Sequence, residues 1–167
     1  MSSEQNRQEM EERYCIEQVL RRYCRGVDRG DAALIRSVYH SDATDDHGGF
    51  KGKGVDFADR VVEAMQGRVQ ATMHNLHQTN IELAGNAARV ETYFTAYHRI
   101  AEDDGTRLET FGGRYVDRFE KRLGQWKIAD RVVVYEWSKV ERVAEEYPNE
   151  AFTHGKRSKE DLSYQPA

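Results

Sequence analysis

The sequence predicts an α+β domain in which three N-terminal helices pack on a curved antiparallel sheet. Apolar residues recur at helical spacing from the N-terminus to Met65, and from about Ala71 the period becomes extended, with turn signals at regular intervals. Helices first and a strand meander second form the pattern of an α+β domain. At 167 residues the chain fits one core. The space between helices and a curved sheet is a natural pocket.

The elements follow in order. Residues 8–27 place Ile16, Val19, Leu20, Tyr23 and Val27 along one side of an amphipathic first helix, with charges on the other. Gly26 and Gly30 weaken its end, so it breaks around Asp28. Asp31 stands as the N-cap of a second helix carrying Leu34, Ile35, Val38 and Tyr39. The stretch SDATDDHGGFKGKG, with four glycines, holds two short strands. A third helix runs from about Val55 to Met65 and buries Val61, Val62 and Met65. Four long strands follow, joined by hairpins at Ala84-Gly85-Asn86, Asp103-Asp104-Gly105 and Leu123-Gly124-Gln125. Beyond Trp137 the chain is polar and holds both prolines, Pro148 and Pro166, which reads as an irregular tail. The expected organisation is one domain over 1–140, with a tail over 141–167 packing on it.

Composition excludes several partners. Lys and Arg total 25 against 29 Asp and Glu, and they are scattered rather than gathered into a stripe, which argues against nucleic acid. The N-terminus MSSEQNRQEMEER has no apolar core of the kind a secretory signal needs. No run approaches the roughly 20 apolar residues of a membrane span. A soluble, cytoplasmic protein is expected. Cys15 and Cys24, nine positions apart on one helix, lie about 13 Å apart along its axis, too far for a disulfide. Unpaired thiols fit a reducing compartment.

A few residues stand out as carriers of chemistry. Asp28 ends the first helix, where the helix dipole disfavours a negative charge by roughly 0.3–1 kcal/mol and should raise its pKa. It is either a functional carboxylate or a solvated turn residue. Tyr23, about 140° around the helix from Asp28, shares the apolar face and points inward, as a core aromatic or a working hydroxyl. His74 and His77 form H-x-x-H, but on a strand residues three apart face opposite sides, so they make no metal pair. One of them should face the pocket, where a lone histidine is the ordinary general base near neutral pH. Asp45 and His47 share a face if the short strand forms. Arg131 lies by alternation on the same side as Val133, Tyr135 and Trp137, and there needs an anionic partner or ligand. Phosphate-loop, nucleophile-elbow and C-x-x-C signatures are absent.

The segments YCRGVDRGD (23–31), SDATDDHGGFKG (41–52), MHNLHQTNIEL (73–83) and GGRYVDRFEKRLGQWKIADR (112–131) together resemble the SnoaL-like branch of the nuclear transport factor 2 superfamily. The resemblance runs to about Trp137 and implies a cone-shaped α+β barrel. That branch includes cofactor-free dehydratases and dehydrochlorinases, in which an aspartate after the first helix orients a histidine that removes a proton from carbon. Asp28 matches the aspartate. His74 rather than His77 matches the histidine, because the pattern continues without a gap through Gln78, Ile81 and Glu82. Arg131 matches an arginine of the last strand, and Tyr23 a catalytic tyrosine of the dehydratases. Asp45 and His47 fall where the dehydrochlorinase has apolar side chains, which implies a more polar substrate and lets these two share the acid–base work.

The resemblance therefore implies a lyase needing neither cofactor nor metal. His74, oriented by Asp28, takes a proton while Tyr23 or Arg131 stabilises charge on an oxygen. Dehydration, halide elimination and release of formaldehyde from a hydroxymethyl-bearing aromatic compound all suit this apparatus. With Asp45, His47, Tyr115 and Tyr97 as binding residues, the expected substrate is a small hydroxylated molecule, aromatic or steroid-like, as in aromatic catabolism. A ketosteroid-type isomerase and a non-catalytic binding or assembly domain are the rival readings. A homo-oligomer, dimer or trimer, is expected through the open sheet face.

Overall fold

The computed structural model describes residues 2–144 and 146–166. Helix α1 spans Ser3–Arg29 and begins ahead of the apolar period, because Ser2 and Gln5 form a reciprocal capping box: each side chain accepts the other's backbone N–H, at 3.2 and 2.7 Å. It stops at Gly30, whose φ of 63° lets its N–H close back on the carbonyls of Gly26 and Val27. Helix α2 covers Ala32–Ser37, with the Asp31 carboxylate accepting from the Leu34 N–H at 3.0 Å. Val38 and Tyr39, expected in this helix, lie outside it. Tyr39 opens strand β1 (Tyr39–Asp46), because the Val38 carbonyl already accepts the Ile128 N–H of the last strand at 2.9 Å. Long-range pairing here overrides a local helical period.

Strand β2 (Lys51–Lys53) folds back on β1 and leads into α3 (Gly54–Met65). Gly54 is required at that junction: a Cβ there would lie 2.3 Å from the Tyr39 ring. Four long strands follow, β3 (Val69–Ala84), β4 (Ala87–Glu102), β5 (Gly105–Arg122) and β6 (Gln125–Val143), turning at the three predicted hairpins. The sheet order is β2-β1-β6-β5-β4-β3. All neighbours are antiparallel except β1 and β6, which run parallel. The sheet curves without closing, and its inner face and the three helices enclose one apolar core reaching from Ile16 on α1 to Phe119 and Ile128 on the last strands.

Register fixes what faces inward. On β3, Thr72, His74 and Leu76 pair with His98, Ala96 and Phe94 of β4, and a bulge after Leu76 returns Thr79 and Ile81 to the same face. On β6, Tyr135 pairs with Gly113 and Trp137 with Gly112, so Glu136 is an extra residue. That bulge overturns the expected alternation. Trp137 stands on the outer face, its indole over Gly112, where a Cβ would sit 2.2 Å from the ring. Strand β6 continues to Val143 rather than ending at Trp137.

Past Val143 the described residues are irregular except for a 3-10 turn at Leu162–Tyr164. This segment lies against the end of α1. Asp161 pairs with Arg29 at 2.9 Å, Ser163 offers its carbonyl to Arg25 at 2.8 Å, and the Tyr164 hydroxyl donates to Asp31 at 3.0 Å. Among the described residues, no helix is long and apolar enough to cross a membrane.

Candidate active site

The last turn of α1 lays Asp28 beside β3, where its carboxylate accepts three hydrogen bonds. The Thr72 hydroxyl donates at 2.9 Å, the His74 backbone N–H at 3.0 Å and the His74 imidazole, through Nδ1, at 2.7 Å. Burial by itself would raise the Asp28 pKa, but the bonds from His74 and Thr72 outweigh it and hold the carboxyl below its usual range. The helix-dipole expectation of a raised pKa is thus corrected: three donors outweigh a helix end. An ionised carboxylate only accepts, so Nδ1 of His74 carries a proton, and in the neutral imidazole the lone pair is then on Nε2.

His74 opens into a cavity of about 390 Å³ between α1, α3 and the sheet. Its walls are mostly apolar, with Phe57, Met65, Phe94 and Phe111 among them, and Tyr23 and His47 stand on the same lining. The Tyr23 hydroxyl is 3.0 Å from Nε2 of His47, and Nδ1 of His47 bonds to Asp45. Asp45 also accepts from the Tyr39 hydroxyl at 2.6 Å. With Nδ1–H given to Asp45, the tyrosine donates to Nε2. The His47 ring is stacked on Phe57 with centroids 4.0 Å apart, which fixes its plane. Burial pushes the Tyr23 pKa well up, so its phenol stays protonated. Two imidazoles, each held by its own aspartate, therefore share one small chamber.

Tyr115 also lines the cavity, stacked on Phe94 at 4.2 Å. Tyr97 does not. It pairs with Met73 between the inward positions Ala96 and His98, and strand alternation turns it to the outer face, which corrects its assignment to the pocket. His77 lies out there too and meets the Thr95 hydroxyl at 2.8 Å. Arg131 is fully buried but is not on the cavity lining. Its guanidinium makes a bidentate pair with Asp117 at 2.8 and 2.7 Å and lies 4.2 Å from the rings of both Tyr23 and Tyr115. The anionic partner demanded by its apolar surroundings is thus a neighbouring strand residue, and the guanidinium packs on Tyr23 and Tyr115 with its Nη1 buried and without a protein partner.

Three residues of the site lie outside the sequence reading. His98 faces the chamber with its ring 5.7 Å from that of His74, and its Nε2 is buried without a protein partner. Burial lowers its pKa to about 4, so it is neutral near pH 7. Its parity with Phe94 and Ala96 was the available clue. Thr72 and Arg157 are the others: Arg157 Nη1 donates to the Thr72 hydroxyl at 2.5 Å and approaches the Asp28 carbonyl at 3.5 Å. Cys24 is no nucleophile, since burial pushes its thiol up to about 12. Among the described residues no group of three or more His, Cys, Asp or Glu side chains is placed to hold a metal.

Residues 8–132 match the model of the SnoaL-like domain. The chain belongs to this family. Asp28, Asp45, His47, His74, His98 and Arg131 all fall inside the matched SnoaL-like region, whereas Arg157 lies beyond it. Solved structures share the fold. A protein of Novosphingobium aromaticivorans provisionally named scytalone dehydratase is 20% identical over 87% of this chain and 97% of its own, with a TM-score of 0.70. A hexachlorocyclohexane dehydrochlorinase of Novosphingobium barchaimii is 17% identical over 84% and 97%, at 0.73. A second dehydrochlorinase of that name, type 2, is 15% identical over 86% and 97%, at 0.74. No curated protein matches. At these identities the likeness is one of architecture, the cone-shaped α+β fold of the nuclear transport factor 2 superfamily.

Proposed function

We propose that this SnoaL-like protein is a cofactor-independent lyase acting on a small hydroxylated molecule, aromatic or steroid-like, by histidine acid–base catalysis. The observation that carries the reading is the ionised Asp28 holding Nδ1–H of His74, which leaves Nε2 as a base on a largely apolar chamber. There Nε2 takes a proton from the substrate, and a positioned base of this kind contributes typically 10²–10⁴-fold. On the same chamber Tyr23, backed by His47 and Asp45, turns its hydroxyl towards the substrate oxygen and stabilises the charge that develops there as it departs. The polar Asp45–His47–Tyr23 wall suits an alcohol or phenol, whose hydroxyl needs a partner once desolvated. The names dehydratase and dehydrochlorinase of the structural neighbours describe eliminations and support the same class.

The test is turnover of a panel of hydroxylated aromatic and steroid-like alcohols, followed by product mass. Elimination lowers the mass by water, and carbon–carbon cleavage lowers it by formaldehyde; an unchanged mass with turnover would establish isomerisation instead. His74→Ala should reduce the rate at least about 10²-fold while the melting temperature stays nearly constant. A wild-type rate in that variant rejects the assignment.

A further inference from the structure

We propose that Arg157, delivered by the C-terminal tail, is a positioning residue that sets the orientation of the Asp28–His74 dyad through Thr72; this rests on the reading of that dyad as the acid–base pair. Arg157 is half-buried, yet its contacts are a hydroxyl, a carbonyl and the Met65 thioether, the last at 3.3 Å from Nη2. Among the described residues it makes no ion pair. Burying a guanidinium against neutral groups is costly, so such a placement needs a reason in what the group holds.

The hydrogen-bond inventory supplies the reason. An arginine only donates, so the Thr72 oxygen facing Nη1 must accept. A threonine hydroxyl has a single proton, and the proton of Thr72 is thereby directed to Oδ1 of Asp28, 2.9 Å away. Asp28 in turn accepts from Nδ1 of His74. The four groups form one directed series, Arg157 to Thr72 to Asp28 from one side and His74 to Asp28 from the other, and its polarity leaves His74 no tautomer but the one with Nε2 free. The guanidinium also lies at the C-terminal end of α1, where the Asp28 carbonyl has no helical partner and a cation is favoured.

The tail is built to hold Arg157 in place. Asp161 accepts the Lys156 and Ser163 backbone N–H groups at 2.7 and 3.0 Å and pairs with Arg29, which locks the turn on both sides of Arg157. Gly30 completes the seat, since a Cβ there would lie 3.2 Å from the Arg157 carbonyl on a backbone already at positive φ. The last turn of α1 is thus shaped both to end the helix and to receive the tail.

The experiment is NMR of the full-length protein with 15N-labelled histidine, without substrate, the His74 signals being assigned by their loss in His74→Gln. Wild type should show a low-field, slowly exchanging Nδ1–H. In Arg157→Met its exchange with water should quicken at least tenfold and its shift move upfield, in Thr72→Val it should do the same, and the double variant should go no further than either alone, because both act through one series. Arg157→Lys, which can still donate to Thr72, should restore most of the protection. A wild-type Nδ1–H signal that persists unchanged in folded Arg157→Met, or single effects that add in the double variant, overturns the role of Arg157 alone. Absence of the signal in wild type overturns the dyad reading with it.

Discussion

His98 buries an imidazole ring beside His74 with no partner for Nε2, and this makes the protein's stability depend on pH. Its folded pKa of about 4 lies below the ordinary value near 6.5, so as pH falls the unfolded chain takes up the proton first. The stabilising contribution is complete above about pH 6.5 and is lost as pH falls through 6.5 towards 4. Its size is on the order of 3 kcal/mol at most. Urea unfolding at pH 7.5 and 4.5 should show that loss in wild type and much less of it in His98→Gln. Asp28, whose pKa is also depressed, adds a loss of the same sign at lower pH, so some slope should remain in the variant. Asp28 and His74 were legible as candidates because their types and spacing matched a known pattern. His98 was not, since nothing in a strand sequence tells which parity faces a cavity until one neighbour is placed.

At the scale of elements, β5 and β6 are joined through the core by Asp117 and Arg131, which sit opposite each other in register and are both fully buried. Removing one charge leaves the other desolvated and unpaired, a change that typically costs about 3–5 kcal/mol. Asp117→Asn should therefore lower the unfolding free energy by that amount, read as a lower urea midpoint at an unchanged m-value, whereas breaking an exposed pair such as Arg7–Glu4 should lower it by less than about 1 kcal/mol. The inward position of Arg131 followed correctly from alternation along β6. Trp137 did not, because the extra residue at Glu136 reverses the faces beyond it, and a bulge leaves no mark in an apolar period. Tyr39 failed for a related reason: its run reads as helix locally, and only the parallel pairing of β1 with β6 makes it a strand.

Among the described residues of the whole molecule, the apolar core is complete by Val133, and the tail adds hydrogen bonds and ion pairs to the end of α1 rather than core residues. A chain ending at Val143 should still unfold in one cooperative thermal transition, its melting temperature lowered by only a few degrees, as expected when about 1 kcal/mol is lost from a domain of this size. Loss of cooperativity would show instead that the tail is integral to the fold.

The sequence by itself determined the class of fold, the order of helices and strands and the three hairpins, because periodicity and turn chemistry are properties of neighbouring residues, while Asp28 with His74 as one pair was legible only through the resemblance of their segments to the SnoaL-like family. Only the tertiary structure decided that Asp45, His47 and Tyr23 form a second relay on the same chamber, that Arg131 is spent on Asp117, that Tyr97 faces away, and that Arg157 reaches Thr72 from 85 positions along the chain. Those facts depend on register, bulges and the docking of a tail, which bring distant residues together and leave no periodic trace in the chain.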